Sequence, residues 1–312
     1  MNDEFAQNKI VEFITPKDGY KYASVTWPGM VGVVSGMNMQ GLTVTLNAGK
    51  SDIPLRGKTP VSIVARTILQ YAKNIEEAIA IAQQFQVFVA ESFLVGSAYD
   101  NKAVVIEMSP KKIDFYDTSN GKLICTNHFQ SAAYKTDKRN QDQITDSHSH
   151  YRFEKLDESF KNDEKHNVTD VVNVLRDVSG LQNENIGLGN EKALNQLMAH
   201  HGVVFKPKEL KMWVSNNPYI LGAFDAYDLN SIFNSGELKP INALEIPKDI
   251  FLNTQEFANY KKFRVLYKTL DQAINSKSTI TDEILAAYEK INPELWLVYK
   301  QLGDYSYNNK EW

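Results

Sequence analysis

Between residues 9 and 126 the hydrophobic pattern changes period twice, and this limits the fold more than any other feature of the chain. Residues 9–47 run in short apolar stretches broken by Gly and Pro. Ile10, Val11, Phe13 and Ile14 end at Pro16, Tyr20 to Trp27 ends at Pro28-Gly29, and Val31, Val33 and Val34 lead to Gly36. Met37-Asn38-Met39-Gln40-Gly41 reads as a polar turn, and Leu42-Thr43-Val44-Thr45-Leu46 alternates with the period of two of a strand. After a loop over 48–58, residues 60–86 change to helical spacing. Pro60 suits a first helical turn, and Ile63, Ile68, Leu69 and Ala72 share a face. Asn74, with Glu77 three residues on, reads as an N-cap. Strand patterns return at 93–97, 103–108, 113–116 and 123–126, with turns at 99–102 and 119–122. Strand blocks separated by a helix pair predict an α+β fold of stacked antiparallel sheets with helices outside.

Further on, 130–150 reads as a polar loop, 151–166 as a charged helix, and 170–177 and 194–198 as short helical or mixed segments. Strand signals recur at 202–205 and 211–215 around a turn at Pro207, and the chain is helical and amphipathic from about 257. This order predicts a main domain over 1–245 and a helical extension over 246–312. Hydrophobic residues make up 43%, which is enough for a sizeable core. Lys plus Arg total 34 against 38 Asp plus Glu, so there is no basic footprint for nucleic acid. No apolar run approaches the roughly 20 residues of a membrane span. The single cysteine, Cys125, excludes an internal disulfide and a Cys-rich zinc site. The N-terminus shows no basic-then-apolar secretory pattern and enters almost directly into strand-like sequence, so we expect an upstream segment.

Few side chains suggest chemistry. Ile186-Gly187-Leu188-Gly189-Asn190 lacks the third glycine and the Lys-Ser/Thr ending of a phosphate loop and reads as a turn. His148, His150, His200 and His201 lack one-face metal-ligand spacing, so neither a metal nor a cofactor is expected. On a strand, Cys125 and His128 point to opposite faces, which leaves Cys125 as a small packed hydrophobe. Asn47 and Asn127 each end an apolar strand; they are turn formers or donors to a developing oxyanion. Arg152 is a surface arginine or a fixed cation beside a reacting carbonyl or carboxylate.

Five segments carry a resemblance: Trp27-Pro28-Gly29-Met30, the Ser35 to Leu42 turn, Thr45-Leu46-Asn47-Ala48, Ser109-Pro110 after a strand ending Ile-Glu, and Cys125-Thr126-Asn127-His128-Phe129. Together they resemble the acyl-CoA:6-aminopenicillanate acyltransferase family of N-terminal nucleophile hydrolases, related to bile salt and penicillin V hydrolases, over about residues 9–230. The resemblance implies a four-layer αββα sandwich and chemistry on a small-molecule amide or acyl substrate. It also implies a mature N-terminal cysteine as nucleophile, with its own α-amino group as base. Asn47 and Asn127 then help hold the oxyanion, and Arg152 joins the site. The family's cysteine and its Arg-Asn-x-Asp strand lie upstream of the part matched by Asp3-Glu4-Phe5 and are missing here. Cys125 is internal and Asn2 is no nucleophile. We therefore expect a truncated or mis-started, inactive acyltransferase or amidohydrolase. The alternatives are a non-catalytic relative that binds an amide or acyl ligand, and an interaction module in the last 60 or so residues. The first reading predicts that Asn47 and Asn127 meet in one pocket near Arg152, opening toward the N-terminus. It also predicts an exposed strand edge near 9–15 or 123–127.

Overall fold

Strands β1 (Ile10–Ile14), β2 (Tyr22–Thr26), β3 (Ser35–Asn38), β4 (Leu42–Ala48), β5 (Glu91–Ser97), β6 (Lys102–Met108) and β7 (Ile113–Tyr116) form one antiparallel sheet, each pairing with its neighbour in sequence. A smaller antiparallel sheet contains β8 (Val203–Lys206), β9 (Lys211–Ser215) and β10 (Phe224–Asp228), in the order β10-β9-β8. The computed structural model describes residues 8–51, 57–118, 121–161, 165–198 and 201–309. The readings that fall on residues 1–7, on Ser119 and Asn120 of the 119–122 turn, and on His200 lie outside these.

Alternation along the strands sorts the wide sheet's residues into two faces. Leu42, Val44, Phe93, Val95, Val104 and Ile106 pack against helices α1 (Val61–Tyr71) and α2 (Ile75–Ala82). On the inner face Ala23, Val25 and Met37 pack against Met212 and Val214 of the small sheet. The small sheet's far face, with Val204, Trp213, Phe224 and Ala226, is covered by Val172 of α5 (Val168–Arg176). The layers are therefore helix, sheet, sheet, helix, an αββα sandwich. Helix α6 (Leu229–Ser235) follows β10. Helices α7 (Gln255–Ser276), α8 (Asp282–Ile291) and α9 (Trp296–Asn309) share a separate core that includes Leu197 and Leu221.

Several of these readings need correction. The expected 37–41 turn covers only 39–41, because Met37 and Asn38 belong to β3. The buried Asn38 amide donates to Leu69 O and Ala72 O, while its oxygen accepts from the N–H groups of Gln40 and Leu42, so one side chain both closes the turn and ends α1. Residues 123–126 are not a strand. Their neighbourhood is held by side chains instead of a ladder: Glu107 accepts from Gln130 N at 2.6 Å and Ser131 N at 3.0 Å, and Gln130 Nε2 donates to Ile124 O at 2.8 Å. Residues 130–150 are not all loop: α3 (Lys138–Asp146) is capped by Asp137, and α4 (Ser149–Ser159) begins before the expected 151 and ends before 166. The sequence reading missed β10 and α6 and made a helical candidate of 194–198, which is not helical.

Candidate active site

Asn47 stands near the end of β4, opposite Ser92 of β5, which in turn faces Glu107 of β6. These three polar residues cross the inner face of the wide sheet in one row. Asn47 Nδ2 donates to Cys125 Sγ at 3.5 Å. Asn127 reaches the same place from the side-chain-held segment, with Nδ2 donating to Ala48 O at 3.1 Å. Its backbone N donates to Ser149 Oγ at 2.8 Å. Arg152, in the first half of α4, donates from Nη2 to Asn127 Oδ1 at 2.9 Å and from Nη1 to Glu191 O. Asn47, Asn127 and Arg152 thus belong to one contiguous cluster.

The electrostatics of the cluster favour neutral groups at its base. Burial pushes the Cys125 thiol up to about 12, helped by the nearby Glu107 and Glu91 carboxyls and opposed by contacts with Asn47 and Ser92. Burial also lifts Glu91 to about 7 and raises Glu107. His128 is held down to about 4, first by burial and then by His150 and Arg152. Its Nδ1 lies 2.8 Å from Ser149 Oγ and 3.1 Å from Thr126 Oγ1, so the neutral ring belongs to a buried hydroxyl network that shapes the Asn127 loop. Burial lowers Arg152 too, although the Glu191 carboxylate opposes this, and the guanidinium keeps its charge.

Chemically, this is an array of N–H donors and one fixed cation beside a thiol that keeps its proton. The sequence placed Asn47, Asn127 and Arg152 but missed Glu107, Ser149 and Glu191. Glu107 had a signal, a lone carboxylate in the apolar run Val104-Val105-Ile106-Glu107-Met108. The separation of Cys125 from His128 came from strand geometry that the segment does not have, but no hydrogen bond or ion pair between the two side chains is seen. The Gly187–Gly189 turn packs on the C-terminal helices: a Cβ on Gly187 would meet Leu295 N at 2.5 Å. His148 pairs with Glu191 at 3.2 Å. Among the described residues no group of three or more His, Cys, Asp or Glu side chains could hold a metal, and no helix is long and apolar enough to cross a membrane.

A cavity of about 740 Å³ opens between the wide sheet and β8. It is lined by Thr43, Leu94 and Gly96 on one side and by Val203 and Phe205 on the other, together with Leu123. Thr43 shares its face of β4 with Asn47. Among the described residues β8 pairs only with β9, so its other edge faces away from that sheet.

A sequence profile described as acyl-coenzyme A:6-aminopenicillanic acid acyl-transferase matches residues 6–216. No curated protein matches significantly. Among solved structures, a Caenorhabditis elegans N-acylethanolamine-hydrolyzing acid amidase ortholog is 21% identical, covering 54% of this chain and 73% of its own, with a TM-score of 0.41. A mutant conjugated bile acid hydrolase from Clostridium perfringens is 14% identical over 74% of this chain and 87% of its own, with a TM-score of 0.49. Penicillin V acylase from Agrobacterium tumefaciens is 13% identical over 72% and 75%, with a TM-score of 0.38.

Proposed function

We propose, from the premise that this chain belongs to the acyl-coenzyme A:6-aminopenicillanic acid acyl-transferase family, that it builds the anion-stabilising half of a site that breaks or forms a linear amide bond in a small molecule. The observation that carries this reading is the Arg152–Asn127–Ala48 link, which fastens the Asn127 loop beside Asn47. Attack of a thiolate on an amide carbonyl forms a C–S bond and places negative charge on oxygen. The amide of Asn47, with Asn127 and Arg152 next to it, offers preorganised positive ends for that charge. The C–N bond then breaks, the amine leaves with a proton from the base, and water or a second amine takes the acyl group from sulfur.

Cys125 is not that thiolate, because at neutral pH its buried thiol stays protonated. The nucleophile in this reading is the N-terminal cysteine that the family resemblance implies. Residues 246–312 act as an extension that supports the site.

A panel of penicillin V, conjugated bile acids and N-acyl amines tests this on two proteins. One is the chain as given; the other carries an upstream segment that matures to an N-terminal cysteine. Turnover in the second alone is expected, with Asn127→Ala lowering kcat by roughly 10²–10³. Turnover by the chain as given that disappears in Cys125→Ser overturns the assignment. Saturable binding of the same amides without turnover in either protein favours the non-catalytic relative.

A further inference from the structure

A second cavity, about 480 Å³, lies between the 184–192 loop and the start of α9. Its apolar surface is Ile186 and the exposed Trp296, the first residue of α9. Glu184 and Glu294 bring carboxylates to it, and His148 and Lys192 stand on the same wall. It shares no lining residue with the cavity beside β8, and none with the Asn47, Asn127 and Arg152 cluster.

Both walls are fixed. Asn292 ties the loop to the joint between α8 and α9: its Oδ1 accepts from Leu188 N at 3.1 Å and its Nδ2 donates to Leu188 O at 2.8 Å. Within the loop, Asn190 Nδ2 donates to Ile186 O at 2.6 Å and its Oδ1 accepts from Lys192 N at 3.0 Å. The close packing of Gly187 on Leu295 joins the same two segments. A ligand therefore meets a preformed surface and orders little of the chain on binding.

The charges around the cavity are unevenly matched. His148 Nε2 pairs with Glu191 at 3.2 Å, and Lys192 Nζ stands over the Tyr151 ring, 5.0 Å from its centre. Neither cation reaches Glu184 or Glu294, and among the described residues neither carboxylate takes a hydrogen bond or an ion pair. Among the same residues the Trp296 side chain makes no ring contact or hydrogen bond. The cavity thus offers two carboxylates and one bare indole face. The described residues hold no metal-binding group, and the volume is that of an organic ligand. Carboxylates on exposed side chains add little to a strongly hydrated ion. An ammonium whose nitrogen carries methyl groups gives up less water, and an indole face attracts it.

We propose that this cavity binds a quaternary ammonium group, with its methyl groups against Trp296 and Ile186 and its charge facing Glu184 and Glu294. The inference is independent of the amide chemistry above.

Calorimetric titration of the full chain at constant ionic strength tests it with choline and with neohexyl alcohol, in which carbon replaces the charged nitrogen of choline. Saturable binding of choline at one site is expected, with the neutral isostere weaker by at least about tenfold. Trp296→Leu weakens choline binding by about the same factor, Trp296→Phe restores most of it, and Glu184→Gln combined with Glu294→Gln also weakens it, all with the wild-type circular dichroism spectrum. Equal binding of the two compounds, or no binding of choline at millimolar concentration, overturns the proposal. Choline binding that is unchanged in Trp296→Leu places the cation elsewhere and overturns it as well. Should Trp296→Leu fail to fold, the double carboxamide variant and the two compounds on the wild-type chain decide.

Discussion

Cys125 lies 3.5 Å from the Asn47 amide, yet burial and neighbouring carboxyls push its thiol up to about 12. Its rate with a thiol-specific disulfide reagent therefore rises about tenfold per pH unit through pH 10, where an ordinary thiol has levelled off. A plateau near pH 9 would show an accessible thiolate. His128 and Glu91 make opposite contributions to stability. The folded state holds His128 at about 4, so it binds fewer protons than the unfolded chain, and this stability is present above about pH 6.5 and lost as pH falls through 4. Glu91 at about 7 binds more protons when folded, so its stability is present below about pH 4.5 and lost as pH rises through 7. Each is worth ~3 kcal/mol. Urea melts across pH 4–7 should show His128→Gln losing stability, relative to wild type, toward neutral pH and Glu91→Gln gaining it. At this scale the sequence made Asn47, Asn127 and Arg152 visible through a resemblance, since strand-end asparagines are ordinarily turn residues. Their meeting depends on Ser149, Glu107 and Glu191, whose partners lie 22 or more residues away and leave no local signature.

The elements read most clearly were those that stabilise themselves by pattern. Alternation marked β1, β2 and β4 to β7, and Pro60 and Asn74 marked the starts of α1 and α2; Asn74 accepts from Glu77 N at 2.9 Å. Segment 123–126 has strand composition but no ladder, because the Glu107 and Gln130 side chains take backbone groups in and around it, a tertiary choice that composition does not encode. The β3–β4 turn depends on Asn38. Asn38→Ala orphans two carbonyls and two N–H groups and should cost about 3 kcal/mol or more in urea denaturation. Gly187 has φ +79° and faces the Leu295 backbone. Gly187→Ala should destabilise the chain by about 2–4 kcal/mol and speed amide exchange in α8 and α9, because the turn and the helices must separate. Unchanged exchange there would mean that the two do not support each other.

At the scale of the whole molecule the sheets are unequal: among the described residues seven strands stand over three, and the smaller sheet ends at β8. Amides of β8 should exchange at least about a hundredfold faster than those of β5, which lies between two partners; mass-spectrometric hydrogen exchange measures this. Equal protection would mean that β8's free edge is covered. The wide sheet's neighbour-to-neighbour order also has a consequence in time. All seven of its strands lie before residue 117, and each closes on the one just made. A ribosome reaches residue 203, where β8 begins, only after another 87 residues, on the order of ten seconds at ordinary rates of synthesis. During that interval the nascent sheet presents Ala23, Val25 and Met37 with nothing yet made to cover them. A folding helper that shelters apolar sheet faces would have its chance then, and a slower ribosome would lengthen the exposure.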